Sequence, residues 1–441
     1  MTIFRHGFLT GLLLGGSLLL AAAAQAEPTL LAHLAMRENP GAPLSLERQV
    51  GKALSHLDER LAVHPADHEA SLLKGLIYFR SGNLEAALRE LDALRQRAPN
   101  FQLAHMIYAD LRMMKWHPVS DIGDASLFAS LSPEARDVLQ GLQQEADYRL
   151  GVHLDKERHA RIPRQILTLS DNVGHAIVVD KSRHRLFLFE QQGKAQPPRL
   201  VRDYYVSTGR EQGNKVVRGD LRTPEGVYFV TNWIPDEELP ERYGIGAFPV
   251  NYPNELDRKQ GKTGYGIWLH GTEREFYSRP PLDSEGCVVL SNYDLDAIKH
   301  EIKPGVTPVI ITSRIDWIDE QAWRNERREI LRALQQWEQD WESLDTERYL
   351  SHYDDSFWTR SHDIQSWKRH KRQVAQSKTF QEVKLDDVSL FSYPRVENQQ
   401  GDLVVARLHQ TYRSNNFNSE MQKRLYLTRR DGQWRIVYEG R

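Results

Sequence analysis

The stretch GIWLHGTEREFYSRPPLDSEGCVVLSN, residues 266–292, holds the only cysteine of the chain and, 17 residues before it, a histidine that ends an apolar run. GIWLHG predicts a strand that ends near His270, and SEGC predicts a glycine-containing turn that ends on Cys287. A free thiol, with a pKa of about 8.5, is mostly protonated at neutral pH, and a neighbouring imidazole can take its proton. These residue types predict a Cys–His nucleophile pair if the fold brings the two together.

The surrounding sequence predicts a mostly β domain from about Gly174 to Ser313. Short apolar runs separated by Gly, Pro and Asp turns indicate its strands. These runs are HAIVVD, RLFLFE, RDYYVSTG, GVYFVTNW, GIWLHG and TPVIIT. After Cys287, Ser291 or Asn292 is expected to start a helix. The turn amides of Gly286 and Cys287 are then candidates to stabilise a developing oxyanion.

Four motifs in this region resemble those of the L,D-transpeptidase catalytic domain, also called the YkuD domain. In chain order they are Ser207-Thr208-Gly209, Gly219 with Thr223-Pro224-Glu225-Gly226, His270-Gly271-Thr272, and Ser284-Glu285-Gly286-Cys287. The resemblance implies that Cys287 attacks the carbonyl between the third stem residue and D-Ala of a peptidoglycan tetrapeptide. It also implies that His270 takes the thiol proton and later serves the acceptor, while the carbonyl of Gly271 orients its ring.

Two departures from the family motif bear on the acceptor. The commonest motif is SHGC followed by Arg two residues later, whereas this chain has Glu285 and Val289 at those places. An Arg there could bind a substrate carboxylate bidentately, and Val289 cannot. Such divergence resembles a subgroup with a C-terminal nuclear-transport-factor-two-like domain, which includes L,D-carboxypeptidases that trim tetrapeptides to tripeptides. The expected function is therefore a peptidoglycan L,D-transpeptidase, with an L,D-carboxypeptidase or a non-catalytic wall-binding protein as alternatives.

Four other residues between 266 and 292 are weaker candidates for the site. Trp268 either lines the substrate cleft or packs as a core aromatic, and Ser284 either donates to the oxyanion or braces the turn. Arg274 and Arg279 either meet substrate carboxylates or are solvated loop charges. The sequence predicts neither a metal site nor a cofactor, since no metal spacing such as HExxH occurs. A papain-like protease is discounted because its Cys precedes its His, the reverse of the order here.

The region from about Leu44 to Met114 has apolar and Ala residues at helical spacing. Pro65 and Pro99 lie 34 residues apart, and the same offset relates Leu57 to Leu91. This resembles the tetratricopeptide repeat, in which helix pairs of that length stack. Only one full repeat and parts of two neighbours are visible, so the segment is either a partner-binding groove or, as we favour, a helical scaffold.

The C-terminal region predicts an α+β domain. A Trp-bearing helical stretch runs from Asp316 to about Tyr353, and four strands follow with turns at 398–401 and 431–432. The strands are SLFSYPRVE, LVVARLHQTYRS, QKRLYLTRR and QWRIVYEG. This order resembles the nuclear-transport-factor-two-like cone. The basic cluster from Lys368 to Arg372 is interpreted as a surface group.

The N-terminus predicts export. Arg5, an uncharged run from Phe8 to Ala24 and the small-residue site Ala24-Gln25-Ala26 make up a secretory signal peptide, with cleavage expected after Ala26. An uncleaved membrane anchor is the alternative, because the run approaches the roughly 20 residues that span a bilayer. A single thiol in an exported chain is either a reactive group or a buried hydrophobe. We expect a periplasmic protein.

Length and composition fit a multidomain globular protein. The 441 residues exceed one ordinary domain, hydrophobic residues make up 40%, and the formal net charge of −2 gives no indication of nucleic-acid binding. The expected division is a signal peptide at 1–26, a helical region at 27–160, the catalytic domain at 161–315, and a helix with the cone-like domain at 316–441. The expected partners are peptidoglycan stem peptides and a protein bound by the helical repeat.

Overall fold

A computed structural model describes residues 43–114, 123, 132–151, 161–395 and 401–441. The predicted signal peptide and most of the turn predicted at 398–401 lie outside these residues. The chain forms two compact units: Met1–Pro99 with Leu103–Gln143, and Asn100–Gln102 with Gln144–Arg441. The domain boundaries expected from the sequence stay predictions. Within the described residues, no helix is both long enough and apolar enough to cross a membrane.

The first unit is helical, as the tetratricopeptide-like spacing predicts. Helices α2 and α3 begin at side-chain caps, because Asp67 accepts a hydrogen bond from the amide of Ala70 and Asn83 accepts one from Ala86. The helices of this part of the chain are α1 Pro43–Val63, α2 His68–Arg80, α3 Leu84–Arg97, α4 Gln102–Met113 and α5 Pro133–Gly151, and the last eight residues of α5 belong to the second unit. Leu91 and Leu94 of α3 are fully buried, which confirms the apolar face that the sequence predicts.

The catalytic region of the second unit is built on a five-stranded sheet in the order β4-β3-β2-β12-β6. Its strands are β2 His175–Asp180, β3 Arg185–Glu190, β4 Arg199–Tyr205, β6 Gly226–Phe229 and β12 Pro308–Thr312. β12 is parallel to β2, and the other neighbours are antiparallel. Because strand side chains alternate, Ile177 and Val179 face one hydrophobic core and Val178 faces another. This two-sided burial explains the continuous apolar run HAIVVD.

A second, four-stranded sheet in the order β11-β9-β8-β7 carries the predicted nucleophile pair. Its strands are β7 Ile234–Pro235, β8 Gly246–Pro249, β9 Trp268–His270 and β11 Val288–Val289. The smaller elements of the region are β1 Ile162–Pro163, β5 Thr208–Gly209, β10 Leu282–Ser284, β13 Trp317–Ile318, α6 Glu255–Lys259 and α7 Asn292–Ile298, with 3-10 turns at Asp236–Glu238 and Glu241–Tyr243. Leu269 of β9 and Val288 of β11 lie in the same core as Ile177, so the two sheets share one hydrophobic layer.

The C-terminal region is a helix-covered mixed sheet in the order β14-β18-β17-β16-β15, in which β14 is parallel to β18 and the other neighbours are antiparallel. Its elements are α8 Glu320–Glu342, α9 Thr346–Leu350, β14 Tyr353–Trp358, α10 Ile364–Ala375, β15 Gln381–Ser392, β16 Leu403–Ser414, β17 Asn418–Arg430 and β18 Gln433–Gly440. Val404 faces a core that contains Trp323 and Trp337 of α8. Val405 faces the core that also holds Val178, so the outer face of the catalytic sheet packs on this sheet.

The single helical stretch predicted from Asp316 to Tyr353 is divided in the structure. Trp317–Ile318 form a strand antiparallel to Ile162–Pro163, and α8 begins only after Asp319, whose carboxylate accepts a hydrogen bond from Ala322 N. Leu344 has φ of +63° between α8 and α9, a conformation that does not continue a right-handed helix. Strand β14 and helix α10 were not predicted from the sequence.

Candidate active site

The fold brings Cys287 and His270 to neighbouring parallel strands. Val288 pairs with Leu269 and Val289 with His270, and Cys287 is the residue immediately before β11. Residues two apart on a strand share a face, so the register places Cys287 beside Trp268 and on the face that carries His270. The parallel pairing of β9 and β11 therefore brings together Cys287 and His270, which are 17 residues apart in the chain.

His270 is held in one tautomer by the backbone that follows it. Its Nδ1 lies 2.6 Å from the carbonyl oxygen of Gly271, and because a carbonyl only accepts, Nδ1 carries the proton. This leaves the lone pair on Nε2, the nitrogen that a base needs. The ring is 3% exposed, and burial lowers its pKa to about 4. The contact with Gly271 is the one that the family resemblance implies.

The thiol of Cys287 is protonated at rest. The residue is partly exposed, and its Sγ donates a weak hydrogen bond to the carbonyl of Gly266 at 3.4 Å. Burial raises the pKa of Cys287 to about 11, against the smaller lowering effects of the Trp268 backbone and the charge of Arg279. The lowered pKa of His270 and the raised pKa of Cys287 both favour a neutral imidazole and a neutral thiol at pH 7.

The turn that ends on the nucleophile is braced by Ser284. Its Oγ donates to the carbonyl of Cys287 at 2.7 Å and accepts from the amide of Gly286 at 3.1 Å. Of the two roles considered for Ser284, the structure shows the bracing one. The turn directs the Gly286 N–H to Ser284, and the oxyanion role of the Gly286 amide stays a prediction. The oxyanion role of the Cys287 amide stays a prediction.

Gly286 is required by both its conformation and its surroundings. Its φ is +124°, and a Cβ at this position would lie 2.7 Å from the backbone oxygen of Arg222, which is closer than real Cβ contacts. Arg222 directly precedes the Thr223-Pro224-Glu225-Gly226 motif. Thr223 Oγ1 in turn accepts from the amide of Gly209 at 2.8 Å. Three of the predicted motifs therefore meet at the nucleophile turn.

The two arginines expected to meet substrate carboxylates are both occupied by protein carboxylates. Arg274 is paired with Asp236 at 2.5 Å, and Arg279 is paired with Glu273 at 2.9 Å. Arg279 also donates to the backbone oxygen of Arg242 at 2.9 Å. Arg274 fits the exposed loop charge considered as the alternative, since its side chain is 60% exposed, whereas the side chain of Arg279 is only 16% exposed. Their substrate-binding role stays a prediction, and a substrate carboxylate would have to compete with these existing pairs.

Trp268 lies at the edge of the site and is half-buried. Its ring centroid is 4.9 Å from that of Tyr243, which also lies 4.9 Å from the ring of His270 in an edge-on arrangement. Tyr243 ends a 3-10 turn 27 residues before His270, and its place beside the base was not predicted. No local pattern in the sequence indicates this contact, because it depends on the pairing of β8 with β9.

Asn292 is a second residue whose role the sequence did not reveal. Its Oδ1 accepts from the amides of Ile245 and Thr272, each at 3.2 Å, and its Nδ2 donates to the carbonyl of Thr272 at 2.8 Å. A Cβ on Gly271 would lie 2.1 Å from this Oδ1, so only glycine allows the approach. The sequence predicted Ser291 or Asn292 only as a helix start, and Ser291 is the N-cap.

The two departures from the family motif occupy different environments. Val289 is 3% exposed and exchanges two backbone hydrogen bonds of 2.9 Å with Ser207. Glu285 is exposed, and its charge contributes to raising the pKa of Cys287. The acidic side chain therefore opposes thiolate formation, whereas a cation in its place would favour it.

The C-terminal region contains a cavity of about 700 Å³ between α8, α10 and the sheet. The ammonium group of Lys371 lies 4.5 Å from the ring centroid of Trp367 and 4.9 Å from that of Trp341. Burial lowers the pKa of Lys371 to about 8. Lys423 forms an ion pair with Glu439 at 2.5 Å in the same cavity. Within the cluster interpreted as a surface group, Lys371 is half-buried with its ammonium over the rings of Trp341, Tyr349 and Trp367, whereas Arg369 and Arg372 are exposed.

Family models match three parts of the chain. The L,D-transpeptidase (YkuD) catalytic domain matches residues 174–311, the Cds6 C-terminal NTF2-like domain matches 329–440, and a tetratricopeptide repeat matches 44–111. A search of curated proteins gave no match.

Two solved structures are similar to about two thirds of this chain. Bd1075 from Bdellovibrio bacteriovorus is 28% identical, with a TM-score of 0.55 over 64% of this chain and 97% of that one. The helical cell shape determining protein Pgp2 from Campylobacter jejuni is 25% identical, with a TM-score of 0.53 over 63% of this chain and 95% of that one. The chain thus carries a tetratricopeptide-like segment, an L,D-transpeptidase (YkuD) catalytic domain and a Cds6-type NTF2-like domain.

Proposed function

We propose that this protein is a peptidoglycan acyltransferase that forms a thioester on Cys287 with His270 as its base. One observation carries the proposal: within a YkuD catalytic domain, the predicted nucleophile and base lie on paired parallel strands, with His270 Nδ1 fixed by Gly271 and Nε2 left with a lone pair. The YkuD match supports peptidoglycan stem peptides as the substrate class.

The proposed first step begins from the neutral pair. As Sγ of Cys287 attacks the carbonyl carbon before D-Ala, its proton moves to Nε2 of His270, and a tetrahedral oxyanion forms. Collapse of this intermediate breaks the C–N bond, and the proton on Nε2 passes to the departing amine. The products are a thioester on Cys287 and free D-Ala. In the second step, His270 deprotonates an acceptor amine or water, which attacks the thioester and restores the thiol.

Water is a second candidate acceptor, which would make the protein an L,D-carboxypeptidase. The observation in its favour concerns the family arginine and the two arginines that were expected to meet substrate carboxylates. Val289 stands in place of the family arginine, and Arg274 and Arg279 are both paired with carboxylates. A transpeptidase acceptor must be held against competing water, and weaker anchoring of the acceptor favours hydrolysis. We propose transpeptidation as the main reaction, with tripeptide formed beside it.

We further propose that the protein acts in the periplasm after export by the segment at 1–26, and that it contributes to cell shape. The pattern of that segment supports export, and the similarity to the helical cell shape determining protein of C. jejuni supports the role in shape. The helical repeat is proposed to bind a protein partner, as repeats of this kind present extended surfaces.

Incubation of the mature chain with purified tetrapeptide-containing wall fragments tests the proposal. With an added D-amino acid, mass spectrometry should reveal exchanged tetrapeptide together with some tripeptide, and Cys287→Ala should give neither. Tripeptide alone would assign the carboxypeptidase reaction. The absence of both products from the unaltered protein, with Cys287 intact, would contradict the enzyme proposal and support a non-catalytic wall-binding role.

A further inference from the structure

The loop between His270 and the nucleophile turn, residues 271–281, is called here the catalytic loop. It is held by a turn that precedes the strand-rich region by many residues. Asn100 donates from Nδ2 to the carbonyl of Arg274 at 3.1 Å, and its own carbonyl accepts from the amide of Tyr277 at 3.1 Å. Asn100 and Phe101 lie in the turn between α3 and α4, and with Gln102 they belong to the second unit.

An aromatic stack extends this attachment towards the base. The ring of Phe101 lies 3.9 Å from that of Tyr277 at an interplanar angle of 17°, and Tyr277 stacks on Tyr293 at 5.6 Å and 25°. Phe101 is 0% exposed and Tyr277 2% exposed, so the stack is part of a packed core. Tyr293 directly follows Asn292, whose carboxamide holds Thr272. Phe101 is thereby connected to Tyr277 in the catalytic loop and, through Tyr293, to Asn292, which holds the residue after Gly271.

The last turns of α5 supply a second attachment. Glu145 accepts a hydrogen bond from the hydroxyl of Ser278 at 2.6 Å and is paired with Arg149 at 2.7 Å. The guanidinium of Arg149 lies 4.4 Å from the ring centroid of Tyr205 and 5.3 Å from that of Phe101. Glu145 and Arg149 are both at most 2% exposed. A buried ion pair with this many partners fixes geometry, because moving either charge leaves the other unpaired.

These attachments lead to Arg279, at the end of the catalytic loop. The hydroxyl of Tyr205 donates to the backbone carbonyl of Arg279 at 3.0 Å. The guanidinium of Arg279 contacts Glu273 and the backbone carbonyl of Arg242. The charge of Arg279 acts on both Cys287 and the base. The backbone positions of residues 277–279 therefore determine where this guanidinium lies.

We propose that Phe101 is a positioning residue for the catalytic loop, so that the turn between α3 and α4 sets the geometry around Cys287 and His270. Two attachment points, Asn100–Phe101 and Glu145–Arg149, lie outside the sequence-predicted catalytic domain at 161–315. Residues 100–101 and 145–149, which belong to the same compact unit as the site, are thus required for its geometry. The inference depends on the proposed function only for its activity readout.

The test compares full-length variants. Phe101→Ala removes the stack, Phe101→Tyr retains it, and Phe391→Ala removes a buried ring that contacts Phe229 at 5.9 Å, outside the catalytic loop. We expect Phe101→Ala to increase amide hydrogen exchange across residues 271–281 by at least tenfold and to lower kcat by at least tenfold. Phe101→Tyr should restore both quantities. Phe391→Ala should lower the melting temperature without either change.

The outcomes separate the positioning role from general destabilisation. Equal exchange of the catalytic loop in Phe101→Ala and Phe391→Ala, at similar melting temperatures, would overturn the inference. If Phe101→Ala does not fold, Asn100→Ala provides the same comparison, because it removes only the hydrogen bond to the Arg274 carbonyl. Hydrogen exchange requires no substrate, so the result stands even if the unaltered protein fails to turn over wall fragments, an outcome that would contradict the proposed function alone.

Discussion

Replacement of Asn292 by alanine should loosen the backbone segment that orients His270. The substitution removes three hydrogen bonds, which involve the amide of Ile245 and both the amide and the carbonyl of Thr272. Thr272 is 0% exposed, so water cannot easily replace the lost partners. At about 1 kcal/mol for each net hydrogen bond, and more where a buried group is left unpaired, the expected loss of stability is about 2–4 kcal/mol.

The same change should affect catalysis more than its stability cost implies. Gly271 supplies the carbonyl that fixes His270 Nδ1, and it lies between His270 and Thr272 in the chain. A displacement of about 1 Å at a base can cost on the order of 100-fold in rate, so kcat/KM of Asn292→Ala should fall by about 100-fold. Tripeptide release and exchange from a defined tetrapeptide provide the assay, with melting temperature measured in parallel.

Ser291→Ala is the matched control for Asn292→Ala. Ser291 caps the same helix by accepting from the amide of Asp294 at 3.0 Å, so its loss weakens α7 by about 1 kcal/mol without touching Thr272. We expect Ser291→Ala to keep kcat/KM within about threefold of the unaltered protein. If Asn292→Ala also stays within that range, the proposed support of His270 by Asn292 is refuted.

Four further outcomes follow from the site and the cavity. Cys287→Ala should abolish turnover with the fold retained, and a carbapenem-type lactam should add once per chain to the unaltered protein and not to this variant, as intact mass would show. The alkylation rate of Cys287 by iodoacetamide should rise about tenfold per pH unit from pH 7 to about 10, since its pKa is about 11, and a plateau near pH 7 would reveal a resting thiolate. Gly286→Ala should destabilise the turn by about 1–3 kcal/mol and remove most activity, because of its positive φ and the contact with the Arg222 oxygen; full activity would contradict this account. Since burial lowers the pKa of Lys371 to about 8, its contribution to stability should rise with pH between about 8 and 10.5, and Lys371→Met should remove that rise from melting curves.

The sequence predicted best those strands whose apolar runs end at clear turns. HAIVVD, RLFLFE, LVVARLHQTYRS and QWRIVYEG correspond to β2, β3, β16 and β18 at both ends. Each is buried on at least one face and bounded by polar or glycine-containing turns, so local pattern and tertiary packing agree. Strand β14 was missed because Asp354 and Asp355 interrupt its apolar pattern. Its place in the sheet depends on parallel pairing with β18, a contact distant in sequence.

The candidate site was predictable only where chemistry and motif coincide. Cys287 and His270 could be named because a lone thiol and a histidine lie in a recognisable order, whereas Tyr243 and Asn292 bear on His270 through contacts that no spacing indicates. The same limit explains Arg274, whose carboxylate partner, Asp236, lies 38 residues away in the chain. A sequence shows which groups are charged but not which of those charges a fold has already paired.

The electrostatics of the pair constrain how the loop can assist the reaction. A cation near both groups, such as Arg279, lowers the pKa of Cys287 and also that of His270. It therefore favours the thiolate and disfavours the imidazolium, and these effects oppose each other in a proton transfer from Sγ to Nε2. In the proposed mechanism, the positive charge of Arg279 would stabilise the negative charge of the tetrahedral oxyanion.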